Sequence, residues 1–103
     1  MTKRLFIGGL VAAGFDPTGA YLLVISHSGR GVYATGSWER VARDSRQAYP
    51  ENGHAIGIGP IEGVNISVKE KNHETGVLRF SSPNGVLQLQ YEDGTLTITD
   101  PTP

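Results

Sequence analysis

The sequence predicts an all-β domain: a small antiparallel meander, sandwich or partly open barrel with at most one short helix. Three observations predict it. Turn residues recur at short intervals along the whole chain. Apolar and polar residues alternate with a period of two from Val64 onward. Glycine supplies 14 of 103 residues, about twice its usual share, which suits a chain that reverses direction often.

Leu5 to Val11 is the first candidate strand, with Gly8-Gly9 marking a bulge or a close backbone approach. Asp16-Pro17-Thr18-Gly19 is a turn, because proline presets φ at its second position and glycine suits its end. Tyr21-Leu22-Leu23-Val24-Ile25 is apolar in both phases, so it predicts a central strand covered on both faces. Ser28-Gly29 joins it to Gly31–Ala34 as a hairpin. Ser37 to Asp44 reads equally as a short helix capped by Ser37 or as an edge strand. Tyr49 to Gly53 is a loop, and His54 to Ile58 is a short strand ended by Gly59-Pro60.

In the second half, Val64, Ile66 and Val68 share one phase. Asn72 to Gly76 is a turn, Val77 to Phe80 a strand, and Ser82-Pro83-Asn84-Gly85 another turn. Leu87, Leu89 and Tyr91 alternate with glutamines, Asp93-Gly94 is a two-residue hairpin turn, and Leu96 and Ile98 alternate with threonines. Pro101 to Pro103 is a frayed tail. The predicted core is Leu23, Ile25, Val32, Ile66, Val68, Leu87, Leu89, Leu96 and Ile98.

The length fits one domain over residues 1–103. Nine Lys and Arg against ten Asp and Glu leave a net charge of −1, which argues against nucleic acid or an anionic membrane as partner. The absence of Cys excludes thiolate metal sites and cysteine nucleophiles, and is compatible with the cytoplasm. Lys3-Arg4 before Leu5–Ala13 has the outline of a signal peptide. The apolar run is short, however, and is better used as a strand of a cytoplasmic protein. No run approaches the length of a membrane helix.

Phe15-Asp16-Pro17-Thr18-Gly19-Ala20-Tyr21-Leu22-Leu23-Val24 resembles the start of a WD40-type β-propeller blade, where a turn of this kind precedes an apolar strand. Ser26 to Tyr33 is similar to the hairpin that follows in such a blade, and Thr35-Gly36-Ser37-Trp38-Glu39-Arg40 to its closing segment. The likeness covers residues 15–44. No second copy of the unit occurs, and a propeller needs several blades. The resemblance therefore implies a local antiparallel meander and carries no catalytic or ligand residues with it.

Candidate chemistry is sparse. His27 lies in the polar stretch Ser26 to Gly31, but neighbouring residues of an extended hairpin face apart, so Ser and His are poorly placed as nucleophile and base. Gly57 to Gly63 is glycine-rich, yet Pro60 and the β pattern after it oppose the helix a dinucleotide site requires. His27, His54 and His73 lack metal-ligand spacing, so neither metal nor cofactor is expected. Arg40, Arg43 and Arg46 would share one face of a helix.

Three functions remain. The favoured one is a non-enzymatic protein that binds a protein partner, such as an inhibitor or immunity-type protein of bacteria. The second is a small-ligand or enzymatic domain using His27, Arg30 and His54 with Asp44 and Glu62. The third is a structural subunit that assembles with copies of itself. Residues 30–46 hold the sole Trp and four of the six Arg, residue types enriched at interface hot spots. The expected partner-binding set is Arg30, Tyr33, Trp38, Arg40 and Arg43. Trp38 either fills a partner pocket or anchors the core.

Overall fold

The computed structural model describes residues 2–45, 55–56, 64–65, 67–71 and 77–100. These form strands and turns only, with no helix among them. The strands are β1 Thr2–Phe6, β2 Leu10–Phe15, β3 Tyr21–Ser26, β4 Gly29–Ala34, β5 Arg40–Asp44, β6 Ala55–Ile56, β7 Val64–Asn65, β8 Ser67–Lys71, β9 Val77–Ser81, β10 Gln88–Glu92 and β11 Thr95–Thr99. One sheet has the order β1-β11-β10-β9. A second runs β5-β4-β3-β2 and continues into β8, and β6 pairs with β7. Every pairing is antiparallel. The expected all-β class holds, and the two main sheets form a sandwich rather than a closed barrel.

The first predicted strand is in fact two. Gly8 and Gly9 make a turn between β1 and β2, which belong to different sheets. Gly9 has φ +69°, a conformation in which a Cβ is disfavoured. A core phenol holds this crossing in place. Tyr91 Oη–H donates to the Ile7 carbonyl at 2.7 Å, and the Leu10 N–H donates to Tyr91 Oη at 3.2 Å. One buried hydroxyl thus satisfies backbone groups on either side of the corner, which would otherwise incur a desolvation penalty. The irregularity expected at the glycines falls one step later, as a bulge between Leu10 and Ala12.

The intersheet core joins Leu10, Ala13, Phe15, Leu22, Val24 and Trp38 to Leu89, Tyr91, Leu96 and Ile98. Phe15 meets Phe80 edge-to-face across the layers, with ring centroids 6.1 Å apart. The reverse face of the five-stranded sheet has its own buried cluster of Ala12, Leu23, Ile25, Val32 and Ala42. The continuous apolar run of β3 is thereby explained: Leu22 and Val24 face one layer, Leu23 and Ile25 the other. Burying each such side chain contributes about 1.5–3 kcal/mol. Of the predicted core, Leu87 is only half-buried, because it precedes β10 rather than lying in it. Ile66, and the side chain of Val68, lie outside the described residues.

Turn chemistry ties these strands together. Asp16 Oδ1 accepts from the Tyr21 N–H at 2.8 Å, while Oδ2 accepts from the Thr18 N–H and hydroxyl. Asp93 and Gly94 have φ +51° and +78°, the positive pair of a type I′ hairpin turn. Between β9 and β10, Ser82 and Asn84 side chains accept from the Leu87 and Val86 N–H groups.

Candidate functional site

Residues 40–44 resolve the open choice between helix and strand: β5 is a strand. Its pairing with β4 places Tyr33 opposite Arg40, Val32 opposite Ala42 and Gly31 opposite Arg43. Val41 is the extra residue of a bulge. It packs with Ala42 toward the reverse cluster. Residues three apart on a regular strand face opposite ways. The inserted residue restores the phase, so Arg40 and Arg43 emerge on the same side.

That side is a groove of about 440 Å³, lined by both arginines with Tyr33 and Gly31, and by Phe6 and Ile7 at the end of β1. Val24 and Ser26 also reach it. Gly31 makes room: a Cβ there would lie 3.3 Å from Arg40 Cδ, so the arginine stem crosses the bare backbone. Arg40 and Arg43 are exposed, and neither guanidinium has an ion-pair partner among the described residues.

Arg30 behaves differently. It is 7% exposed and directly opposite Asp44, with Nε donating to Oδ1 at 3.0 Å and Nη2 to Oδ2 at 2.6 Å. This two-pronged pair closes the end of the β4–β5 ladder. Although Arg30 borders the groove, its charge is already compensated.

Four of the five expected partner-binding residues border the groove, but only Tyr33, Arg40 and Arg43 share its face; Arg30 lies opposite Ile25 and in phase with Val32, on the reverse face. Trp38 does not border the groove. It is 7% exposed and packed in the intersheet core, so its presentation to a partner is corrected to a core role. Its N–H donates to the Ala34 carbonyl at 2.7 Å, which turns the chain between β4 and β5 and directs the indole inward at φ +59°. The indole Nε1–H is buried without an acceptor among the described residues. The area buried by a large aromatic outweighs one unmet hydrogen bond.

The groove residue that pattern reading missed is Phe6, 84% exposed. Leu5, Phe6 and Ile7 are consecutive and apolar, so alternation assigns Phe6 no face. Only its pairing with Thr95 on β11 sets its direction.

The other candidates stay apart. Ser26 Oγ lies 3.0 Å from Ser28 Oγ and donates to the Gly29 carbonyl at 3.3 Å, closing the β3–β4 hairpin. His27 is exposed beside Gly9, and its N–H donates to the Gly9 carbonyl at 3.1 Å. His54, His73, Glu62, Arg46 and the stretch Gly57–Gly63 lie outside the described residues. Among the described residues no three His, Asp or Glu side chains gather as a metal site, and no helix is long and apolar enough to cross a membrane. A shallower hollow of about 330 Å³ lies on the outer face of the four-stranded sheet, beside Arg79, Gln88, Gln90, Thr97 and Thr99. Its polar groups partner one another: Arg79 Nε donates to Gln90 Oε1 and Gln90 Nε2 to Glu92. No family model, curated protein or solved structure matches the chain.

Proposed function

We propose that this domain is a non-catalytic binding module that takes a protein partner in the groove between β1 and the β4–β5 ladder. One observation carries the reading. A bulge aims two uncompensated arginines into a groove that also has an exposed phenylalanine at its wall. Bulges next to functional sites re-aim side chains in this way. An aromatic anchor beside arginines is also the composition of an interface hot spot. The chain as a whole carries a net charge of −1, so the arginine pair is a local feature and not part of a general basic surface. Such a module acts by occupying a partner's surface, as an inhibitor or immunity-type protein does.

A photo-crosslinking residue placed at position 6 tests this in cells that produce the protein, with position 97 on the opposite sheet face as the control. A discrete protein adduct from position 6 is expected, absent from position 97 and lost on Arg43→Glu. Equal labelling from both positions, or an adduct that survives Arg43→Glu, would remove the groove from consideration.

A further inference from the structure

We infer that the groove selects an extended acidic segment whose two carboxylates lie at positions i and i+2. This rests on the protein-binding reading above and specifies the partner's chemistry.

The register supplies the spacing. Arg40 and Arg43 stand opposite Tyr33 and Gly31, two residues apart on β4. Extended chain rises about 3.4 Å per residue, so the backbone positions of the two arginines stand one pleat repeat, about 7 Å, apart, while the Arg40 stem leans over Gly31 toward Arg43. An extended ligand presents side chains on one face at the same repeat. Adjacent acidic residues on such a segment point to opposite faces, and residues two apart on a helix do not share a face. A Glu-x-Glu segment laid along β4–β5 meets both guanidiniums at once.

Charge decides the sign of the ligand. The bidentate pair with Asp44 neutralises Arg30, and no other acidic residue lines the groove among the described residues. Arg40 and Arg43 therefore leave two positive charges there. Arginine favours planar carboxylates, to which it can donate two hydrogen bonds. Phe6, Ile7, Val24 and Tyr33 supply apolar contact beside these charges, which a protein segment uses and a bare polyanion does not.

The competing explanation is that β5 ends the sheet order and its charges only discourage strand-to-strand aggregation. The experiment separates the two. Short fluorescent peptides of Ser and Gly carrying Glu-Val-Glu, Glu-Glu or Lys-Val-Lys are titrated into the full chain and followed by anisotropy, with a single-stranded oligonucleotide as the phosphate control. Glu-Val-Glu should bind about tenfold more tightly than Glu-Glu, since only the former engages both arginines. Arg40→Ala and Arg43→Ala should each weaken it roughly threefold to fivefold, and Arg79→Ala should leave it unchanged. Binding should also fall as salt is raised.

Equal affinity for Glu-Val-Glu and Glu-Glu overturns the spacing, and equal affinity for the oligonucleotide overturns the carboxylate preference. No peptide binding, together with self-association of Arg40→Thr/Arg43→Thr, assigns the arginines to edge protection. If the position-6 adduct persists while the peptides fail to discriminate, this inference alone falls. Loss of both removes the binding reading as well.

Discussion

The two sheets solve the same burial problem in different ways. The four-stranded sheet is amphipathic: on β10, Leu89 and Tyr91 face the core while Gln88, Gln90 and Glu92 face outward. The five-stranded sheet is apolar on both faces, and β3 buries four consecutive apolar residues, Leu22 to Ile25. The first arrangement makes alternate residues dispensable to stability, whereas the second makes neighbours equally necessary. The groove lies at the margin of the second sheet, lined by Arg40 and Arg43 together with Phe6 and Ile7 at the end of β1.

The largest test of this contrast uses neighbouring pairs. Leu22→Ala and Leu23→Ala should each cost about 2–5 kcal/mol in denaturant unfolding, because each empties a different core face. On β10, Leu89→Ala should cost a similar amount, while Gln90→Ala should stay within about 0.5 kcal/mol. A loss below about 1 kcal/mol for Leu23→Ala would show that the reverse face is not a core.

Two glycines sharpen the comparison at intermediate size. Gly29, at the start of β4, has φ +137°, and a Cβ there would sit 2.2 Å from the Asp44 carbonyl oxygen. Gly94, in the β10–β11 turn, has φ +78° with open space around it. Gly94→Ala should therefore cost only the backbone conformation, about 1 kcal/mol, and Gly29→Ala should cost at least about 2 kcal/mol because β5 must also shift. Thermal melts of the two variants check this. Equal losses would mean that β5 moves freely away from β4.

The smallest expected effect concerns the groove. Arg40→Ala and Arg43→Ala should each leave unfolding free energy within about 0.5 kcal/mol of the parent, since neither has an ion partner among the described residues to lose. A larger loss would make them structural residues of the bulged edge.

Much of the fold was legible because short-range chemistry wrote it. Asp93-Gly94 reads as a hairpin turn from two residues, and the structure gives both the positive φ that turn demands. The run Tyr21–Ile25 reads as doubly covered because no polar residue interrupts it. Gly8-Gly9 reads as a bulge or a close backbone approach, and the His27 N–H does meet the Gly9 carbonyl at 3.1 Å, but that the pair also turns a corner between two sheets is not written in it. The corner fell to Tyr91, more than eighty positions away, whose hydroxyl holds it. For Trp38 the sequence allowed both core and interface, and its burial depends on the turn that directs the indole inward.

The candidate site follows the same division. Local composition alone drew attention to residues 30–46, where arginine and aromatic side chains concentrate. A helical period would have put Arg40 and Arg43 on one face, and they do share one, but through an inserted strand residue. Phase on a strand is fixed by the partner strand's register, and register is a long-range property. Sequence by itself determined the all-β class, most turns and the pool of recognition residues, because these depend on neighbours along the chain, but it left Leu5 to Val11 as one strand and β5 open. The sheet switch at Gly8-Gly9, the compensation of Arg30 by Asp44 and the shared direction of Arg40 and Arg43 were decided only by tertiary pairing. Each depends on a group that the chain brings close only when the sheets assemble.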